Sequence, residues 1–501
     1  MPDNLFTRFV AAAADPEKHF LRPPDGASLS FREVFATAAR FAHVLVKQGV
    51  RPGDRVAVQA EKSPAALILY LACLRAGAVY LPLNTGYTPT ELAYFVKDSE
   101  PRLFVSAEKN REKIQAALPQ LSFLTISDDG HAGSLIAEAE AAPTEFPDAP
   151  IGMSDLASIL YTSGTTGRSK GAMLSHGNLH SNAESLKKAW EFSSDDVLLH
   201  ALPIFHIHGL FVATNVTLLS GASMLLLPKF DPDAIFRALP QASVMMGVPT
   251  FYTRLLKDGR LGRDTTGHMR LFISGSAPLL PETHREWEAR TGHAILERYG
   301  MTETNMNTSN PYQGARIPGS VGLPLPGVEL RIADGDGNPL PQGEIGMIEI
   351  KGPNVFQGYW RMPEKTKAEF RKDGFFITGD LGTIGADGYL RIVGRGKDLI
   401  ITGGLNVYPR EIESLLDDVA GVEESAVVGL PHDDFGEGVT AFLVLKDGAQ
   451  LTEAGVLDLL CDRLARFKLP KRVIFVDQLP RNTMGKVQKS ALREEYAALY
   501  C

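Results

Sequence analysis

The sequence predicts an α/β fold that passes into a β-rich region and ends in a compact α+β segment. Residues 30–345 alternate between helix-like and strand-like patterns, residues 315–395 carry repeated Asp-Gly turns, and the pattern changes again after residue 397. A chain of 501 residues exceeds what one hydrophobic core normally serves. We therefore expect two or more domains, each with ample apolar content.

Alternating helices and strands predict βαβ units and largely parallel sheets in the first part of the chain. Apolar residues recur at helical spacing over 31–47 and 63–76, and residues 55–59 and 78–82 have strand-like patterns. Further strands are predicted at residues 102–106, 223–227, 243–247 and 269–274.

The later part of the chain favours hairpins and then a small separate domain. Asp-Gly and Gly-Asn turns at 334–338, 373–374 and 387–388 are typical of β-hairpins. Beyond them, helical patterns occur at 409–418 and 453–466. We place the domain boundary near Lys397, which gives domains of residues 1–396 and 397–501.

Composition excludes several classes of partner. The net charge is −8, with 51 basic and 59 acidic residues and no long run of like charge, so we expect no nucleic-acid or membrane partner. The cysteines Cys73, Cys461 and Cys501 lack C-x-x-C spacing, which argues against a zinc site or a disulfide framework and fits a reducing compartment.

The apolar run 65–74 is shorter than the roughly 20 residues that span a bilayer. Asp3 lies early in an N-terminus that resembles neither a secretory signal nor a transit peptide. We expect a soluble, cytoplasmic protein.

The segment Tyr-Thr-Ser-Gly-Thr-Thr-Gly-Arg-Ser-Lys-Gly at 161–171 is suited to hold phosphate. Gly164 and Gly167 permit close approach of the backbone to an anion, and Arg168 and Lys170 supply positive charge. It is no Walker loop, because a glycine follows Lys170. A solvated polar turn is the alternative, but the apolar strand-like run 156–161 leads into the segment. Its hydroxyl donors are Thr162, Ser163, Thr165, Thr166 and Ser169.

Four shorter segments carry further polar chemistry. Thr302 and Glu303 follow a glycine turn, and a carboxylate together with phosphate oxygens suits Mg²⁺. Asp380 ends the segment 376–380, and an acidic residue near a nucleotide commonly binds ribose hydroxyls. The others are 394–398, which contains Arg395, and 480–486, which ends at Lys486. Each is a weak signal alone.

Taken in order, these segments resemble the adenylate-forming superfamily of acyl-CoA synthetases, peptide-synthetase adenylation domains and luciferases. The resemblance covers essentially the whole chain. It implies a large N-terminal domain of packed sheets and helices and a small mobile C-terminal domain. It also implies two steps: a carboxylate attacks the α-phosphate of ATP to give acyl-AMP and pyrophosphate, and the thiol of coenzyme A then displaces AMP.

The resemblance also implies roles for individual residues. Lys486 would stabilise charge that develops at the α-phosphate, Lys397 would be the hinge, and His206 would gate and position the carboxylate unless it is an ordinary core histidine. The nucleotide and metal contacts it implies are as follows: Thr162, Ser163, Gly164, Thr165, Thr166, Gly167 and Lys170 for pyrophosphate; Thr302 and Glu303 for phosphate; Glu303 and Thr165 for Mg²⁺; Gly275, Ser276, Ala277, Tyr299 and Gly300 for adenine; Asp380 and Arg395 for ribose; and Gly403 and Gly404 for pantetheine.

Arg298 is the clue to the acid. Relatives often have a small residue there that lines an apolar pocket, where an unpaired guanidinium would be costly, so a second carboxylate on the substrate would relieve it. Ser274 and Arg254 belong to segments that border this pocket, although Arg254 could instead cap or bridge helices. Residues 201–209 and 297–306 resemble malonyl-CoA synthetases, and we expect malonate, with methylmalonate also possible.

Three alternatives stay open at this point: a ligase for another small or aromatic acid, transfer to a carrier-protein pantetheine, and a nucleotide-binding scaffold that has lost catalysis. The presence of Lys486, Glu303, Asp380 and Arg395 argues against the last. Acetylation of Lys486 would remove its charge, so we also expect an acetyltransferase and a deacetylase as partners.

Overall fold

The computed structural model describes residues 3–24, 26–117, 119, 121–162, 169–402, 405–432, 434–461, 463–464, 466–482 and 485–500. The helices in these ranges are α1 (Leu5–Ala12), α2 (Phe31–Lys47), α3 (Pro64–Ala76), α4 (Pro89–Ser99), α5 (Arg111–Ala117), α6 (Ser134–Glu140), α7 (His176–Ala189), α8 (Asn215–Leu219), α9 (Pro232–Ala238), α10 (Pro249–Leu256), α11 (Arg263–Thr266), α12 (Pro281–Thr291), α13 (Pro363–Ala368), α14 (Pro409–Asp417), α15 (Glu453–Cys461) and α16 (Lys489–Glu495).

The strands in the described ranges are β1 (His19–Arg22), β2 (Leu29–Ser30), β3 (Arg55–Gln59), β4 (Val79–Pro82), β5 (Leu103–Ser106), β6 (Ser122–Thr125), β7 (Leu156–Thr162), β8 (Lys170–Ser175), β9 (Val197–His200), β10 (Ser223–Leu226), β11 (Val244–Gly247), β12 (Leu271–Ser274), β13 (Leu296–Met301), β14 (Asn305–Ser309), β15 (Leu323–Pro324), β16 (Glu329–Ala333), β17 (Gly346–Lys351), β18 (Phe376–Ile384), β19 (Leu390–Arg395), β20 (Ile400–Thr402), β21 (Leu405–Val407), β22 (Val422–His432), β23 (Gly436–Leu445) and β24 (Arg472–Phe475).

Two sheets are parallel at their centres and form the α/β core. One has the strand order β15-β14-β13-β12-β11-β9-β10-β1-β2, with parallel pairing from β1 through β13. The other has the order β6-β5-β3-β4-β7-β8, in which the β7–β8 pair is antiparallel. The predicted α/β class is confirmed, and the predicted helix at 31–47 is confirmed as α2.

Helix α3 shows why the apolar run at 65–74 needs no membrane. Every residue from Ala65 to Ala76 is buried, as expected of a helix that is apolar on all sides. The Ser63 side chain caps it by accepting a hydrogen bond from the Ala66 N–H, and Gly77 ends it in the left-handed conformation. Among the described residues, no helix combines the length and apolarity needed to cross a bilayer.

The β-rich region forms an antiparallel sheet in the order β16-β17-β18-β19. The residues beyond it build a sheet in the order β21-β20-β23-β22, with β24 parallel to β23. Two apolar clusters in this C-terminal part are separate from the large core, one around Ile412 and Val439 and the other around Phe442 and Leu479. This separation agrees with a small α+β unit.

One helix prediction was too long. The pattern at 453–466 predicts a single helix, but α15 ends at Cys461 and a 3₁₀ turn at Arg466–Lys468 follows. Pro470, two residues beyond that turn, limits how far a helix could continue, but it does not explain why α15 ends at Cys461.

Candidate active site

The polar residues of the candidate site lie where parallel strands of the larger sheet end. Gly247 ends β11, Ser274 ends β12, and the two are paired across the sheet. Ser274 is also paired with Glu297 of β13, the residue before Arg298. Side chains and loops from three neighbouring strands therefore meet at one edge of the sheet, which is where ligands bind in open α/β sheets.

The Arg298 side chain is buried at this edge of the sheet. The residue is 3% exposed, and its buried Nε and Nη2 atoms have no hydrogen-bond partner. Burial lowers the pKa of Arg298 to about 9. The guanidinium lies against Gly275, where an added Cβ would be 2.4 Å from Arg298 Cζ, so a side chain at this position would displace the guanidinium.

Neighbouring groups do not neutralise this guanidinium. Glu297 points to the opposite face of β13, as alternation along a strand requires, and its Oε1 accepts a hydrogen bond from the Leu279 N–H at 3.0 Å. Burial raises the pKa of Glu297 to about 7. The Tyr252 hydroxyl donates to the Ile273 carbonyl at 2.6 Å. Within the described ranges, Arg298 forms no ion pair.

Two more buried polar atoms at this edge of the sheet have no hydrogen-bond partner. They are Ser274 Oγ and His208 Nε2, on residues that are both 0% exposed. His208 lies at the start of a π-helical segment, His208–Thr214, and its Nδ1 is 3.1 Å from Ser276 Oγ. Its pKa is lowered by burial first and by the charge of Arg298 second. Ser276 has a φ of +73°, a strained value typical of functional loops.

His208 was not among the site residues expected from the sequence. Its pattern, a histidine two residues after His206, could not distinguish a core histidine from a pocket residue. His206 itself is half-buried, and desolvation lowers its pKa to about 4, so the imidazole is neutral at pH 7. A neutral imidazole agrees with a role in positioning the substrate carboxylate and gives no support for a role that needs a charged imidazolium.

The ribose residues predicted from separate segments come together. The Tyr299 hydroxyl donates to Asp380 Oδ2 at 2.6 Å, and Arg395 Nε is 3.0 Å from Asp380 Oδ1. Asp380 and Arg395 face each other across the β18–β19 pair. Gly300 is closely packed as well, since an added Cβ would lie 2.0 Å from the Asn305 carbonyl oxygen.

The ends of the phosphate segment form a β-hairpin. Thr162 of β7 pairs with Lys170 of β8, and Lys170 Nζ lies 3.1 Å from Glu369 Oε1. The predicted contacts Ser163, Gly164, Thr165, Thr166 and Gly167, as well as Gly403 and Gly404, lie outside the described residues.

Glu303 is a candidate magnesium ligand. Its side chain is buried, its Oε1 is 3.0 Å from the Tyr359 hydroxyl, and burial raises its pKa. No group of three or more His, Cys, Asp or Glu residues in the described ranges could hold a metal alone. One carboxylate is nevertheless the donor set that Mg²⁺ uses when phosphate oxygens and waters complete its shell, so the residues fit this ion. Thr302, the neighbouring phosphate contact predicted from the sequence, is half-buried.

The C-terminal segment brings Lys486 within electrostatic range of Arg395 and Asp380. Burial lowers the pKa of Lys486 to about 8, the charge of Arg395 lowers it further, and the charge of Asp380 raises it. The preceding Gly485 packs against Thr250 of α10. Ion pairs between Lys257 and Glu423 at 2.6 Å and between Lys446 and Glu282 at 3.3 Å also join the two parts of the chain.

Arg254 and Ala277, two further residues predicted from the sequence, lie in the segments that follow β11 and β12. Arg254 is exposed in the last turn of α10, with its guanidinium 5.9 Å from the centre of the Phe230 ring. Ala277 is half-buried in the loop that follows β12. Lys397 lies in a 3₁₀ turn, Gly396–Asp398, between β19 and β20.

Known proteins match this chain over its full length. A family model described as AMP-binding enzyme matches residues 9–360, and one described as AMP-binding enzyme C-terminal domain matches residues 411–486. The solved structure of ATP-bound MatB from Rhodopseudomonas palustris is 61% identical, with 100% of both chains covered and a TM-score of 0.98. The apo form of that protein gives a TM-score of 0.87, so the arrangement of the whole chain is closer to the ATP-bound form.

Among curated relatives, a feruloyl-CoA synthase from Amycolatopsis is 38% identical over 94% of both chains. A malonate–CoA ligase from Arabidopsis thaliana is 35% identical over 94% of this chain and 85% of the relative. The chain therefore belongs to the AMP-binding enzyme family.

Proposed function

We propose that the protein joins malonate to coenzyme A with ATP as co-substrate, through malonyl-AMP, and releases AMP and pyrophosphate. It would thus act as an AMP-forming acid–thiol ligase. The single observation that carries the choice of acid is the buried Arg298 guanidinium, whose Nε and Nη2 have no partner.

An unpaired buried charge is costly, and a carboxylate from the substrate would remove that cost. The distal carboxylate of malonate can accept two hydrogen bonds from one guanidinium. An acid with one carboxylate would leave Arg298 unpaired, and such a loss in a polar site discriminates strongly between substrates. The site therefore favours a dicarboxylate over acetate or an aromatic acid.

The proposed chain length of the acid rests on similarity to known proteins as well as on the site. A relative that carries the name malonate–CoA ligase supports a three-carbon acid. A feruloyl-CoA synthase of similar identity supports the family chemistry but a different acid, so family membership alone leaves the acid open. Methylmalonate is a second proposed substrate.

In the first half-reaction, Asp380 and Arg395 hold the nucleotide sugar, and Tyr299, which donates a hydrogen bond to Asp380, borders the adenine. Lys486 places its ammonium where negative charge develops between the attacking carboxylate and the α-phosphate, and this type of stabilisation is commonly the largest catalytic contribution. Glu303 would hold Mg²⁺, which neutralises phosphate charge when it is bound. His206, which is neutral, would position the carboxylate.

The second half-reaction requires Lys486 to leave the site. We propose that the C-terminal domain, residues 397–501, rotates about Lys397 and that the loop with Gly403 and Gly404 then lines the path of the pantetheine arm. We assign the arrangement described above to the first half-reaction, because the whole chain is more similar to the ATP-bound neighbour than to its apo form.

A rate comparison tests the proposed function. AMP release should require both coenzyme A and the acid, and malonate should exceed acetate, succinate and ferulate by at least 100-fold in kcat/KM, with methylmalonate intermediate. Faster turnover of ferulate or acetate would contradict the choice of acid. Adenylation that proceeds normally while transfer occurs only to a carrier protein would contradict the role of coenzyme A.

We also propose that acetylation of Lys486 regulates the enzyme in the cytoplasm, through a protein acetyltransferase and a deacetylase. Acetylation removes the charge that serves adenylation, so protein acetylated at this residue should form no malonyl-AMP. It should still convert supplied malonyl-AMP to the thioester. Full pyrophosphate exchange by the acetylated protein would contradict this proposal.

A further inference from the structure

The segment Lys-Gly-Pro-Asn-Val-Phe-Gln-Gly-Tyr-Trp-Arg-Met-Pro at 351–363 has no role in the function proposed above, yet it contacts both phosphate-facing elements. Its backbone runs antiparallel to the start of β8, with hydrogen bonds from Trp360 N to Gly171 O at 2.8 Å and from Met173 N to Gly358 O at 2.9 Å. On its other side, Phe356 N donates to the Glu303 carbonyl at 2.8 Å. The segment thus bridges the strand that follows the phosphate loop and the turn that carries Glu303.

The side chain of Tyr359 makes this bridge polar. The residue is 2% exposed, and its hydroxyl lies 3.0 Å from Glu303 Oε1 and 2.6 Å from Glu369 Oε2. A phenol carries one hydrogen, so the two carboxylates share one donor.

The same ring contacts the cation that ends the phosphate segment. Lys170 Nζ lies 4.1 Å from the centre of the Tyr359 ring, within the range of a cation–π interaction. Glu369 completes the arrangement, because its Oε1 is 3.1 Å from Lys170 Nζ and 2.9 Å from Lys365 Nζ. Tyr359, Lys170 and Glu369 are mostly buried whereas Lys365 is exposed, so solvent screens the contacts among the first three only partly.

We propose that Tyr359 is a positioning residue for nucleotide binding, in which the hydroxyl orients Glu303 for Mg²⁺ and the ring, together with Glu369, holds Lys170 at the end of the phosphate loop. This rests on the proposed use of ATP with Mg²⁺ and is independent of which acid is activated. Partners that orient a metal ligand typically contribute 10–100-fold to metal affinity. We therefore expect loss of the hydroxyl to weaken Mg²⁺-dependent nucleotide binding, and loss of the contacts to Lys170 to weaken nucleotide binding without Mg²⁺.

Both roles are tested by measuring equilibrium binding of α,β-methylene-ATP in the absence of acid and coenzyme A. The methylene bridge between the α- and β-phosphates of this analogue is not cleaved. Tyr359→Phe keeps the ring and removes the hydroxyl. We expect the Mg²⁺ concentration for half-maximal binding to rise at least tenfold, and affinity without Mg²⁺ to change less than twofold. Binding of AMP, which needs no metal, should also change less than twofold.

Glu369→Gln gives the complementary result. The amide oxygen still accepts the phenol hydrogen, but the ion pair with Lys170 is lost. We expect affinity for the analogue without Mg²⁺ to fall several-fold while the Mg²⁺ midpoint stays within twofold of wild type. Tighter binding by this variant would overturn the role of Glu369, because it would mean that Glu369 competes with phosphate for Lys170.

Tyr70→Phe is the matched control. Its hydroxyl is also buried and donates to Asn215 Oδ1 at 3.2 Å, in a contact with no phosphate-facing residue, so both binding curves should match wild type. A wild-type Mg²⁺ midpoint in Tyr359→Phe would overturn the proposal. So would an equal loss of AMP and analogue binding, since that would indicate a merely structural role. Malonate could fail as the substrate without changing any of these outcomes.

Discussion

Replacing Arg298 with methionine should make the ligand-free protein more stable and the enzyme nearly inactive with malonate. Burial lowers the pKa of Arg298 from 12.5 to about 9, and at about 1.36 kcal/mol per pKa unit this corresponds to roughly 5 kcal/mol against the charged side chain. The protonated form is the one disfavoured by folding. The cost is therefore fully present at pH 7, below both pKa values, and disappears only as the pH rises from about 9 towards 12.5.

The measurable gain should be smaller than this figure, because methionine packs differently and buried arginines relax towards water. Replacing buried charges with apolar side chains typically stabilises proteins by about 1–4 kcal/mol. We expect Tm of ligand-free Arg298→Met to rise by a few degrees. In pyrophosphate exchange, kcat/KM for malonate should fall by about 10²-fold or more, since the distal carboxylate would then be buried without a partner.

Arg270→Met is the control for this prediction. Arg270 is also largely buried, but it is paired with Asp196 at 2.6 and 2.7 Å. Its removal leaves Asp196 unpaired, so Tm should fall while kcat/KM for malonate stays near wild type. If Arg298→Met instead melts at a lower temperature than wild type, or retains malonate turnover, the reasoning from the unpaired guanidinium is refuted.

Three further predictions concern the C-terminal domain. Lys486→Ala should lower adenylation by about 10²-fold or more with ATP binding largely retained, and near-normal pyrophosphate exchange would contradict this. Because burial lowers the pKa of Lys486 to about 8, its charge is lost as the pH rises through that value. The kcat/KM of adenylation should therefore decline above about pH 8, and thioester formation from supplied malonyl-AMP should not follow the same curve. Lys397→Pro fixes φ at the proposed hinge and should impair thioester formation more than adenylation, which single-turnover assays of each half-reaction can check.

Much of the fold follows from local patterns. Helix α2 is predicted with its correct ends from its apolar spacing, and in the structure the Ser30 side chain caps its start. The helix predicted at 63–76 corresponds to α3, which is buried on all sides. The end of α15 was not predicted, since periodicity alone continues past Cys461.

The candidate site is a different case, because its residues are distant in sequence. Asp380, Arg395 and Tyr299 were each weak signals in the sequence. Pairing of β18 with β19 places Asp380 opposite Arg395, and the Tyr299 hydroxyl donates a hydrogen bond to Asp380. His208 and Tyr359 were not expected as site residues. Their importance is visible only in the structure. His208 Nε2 is buried without a hydrogen-bond partner, and the buried Tyr359 hydroxyl contacts the Glu303 carboxylate.

A crystal structure with a non-reactive sulfamoyl analogue of malonyl-AMP tests the central claim most directly. The account predicts that the distal carboxylate lies within hydrogen-bond distance, about 2.7–3.2 Å, of Arg298 Nε and Nη2. An Arg298 side chain turned away from the acyl group, with apolar walls around the malonyl moiety, would contradict the proposed substrate and leave the ATP chemistry intact.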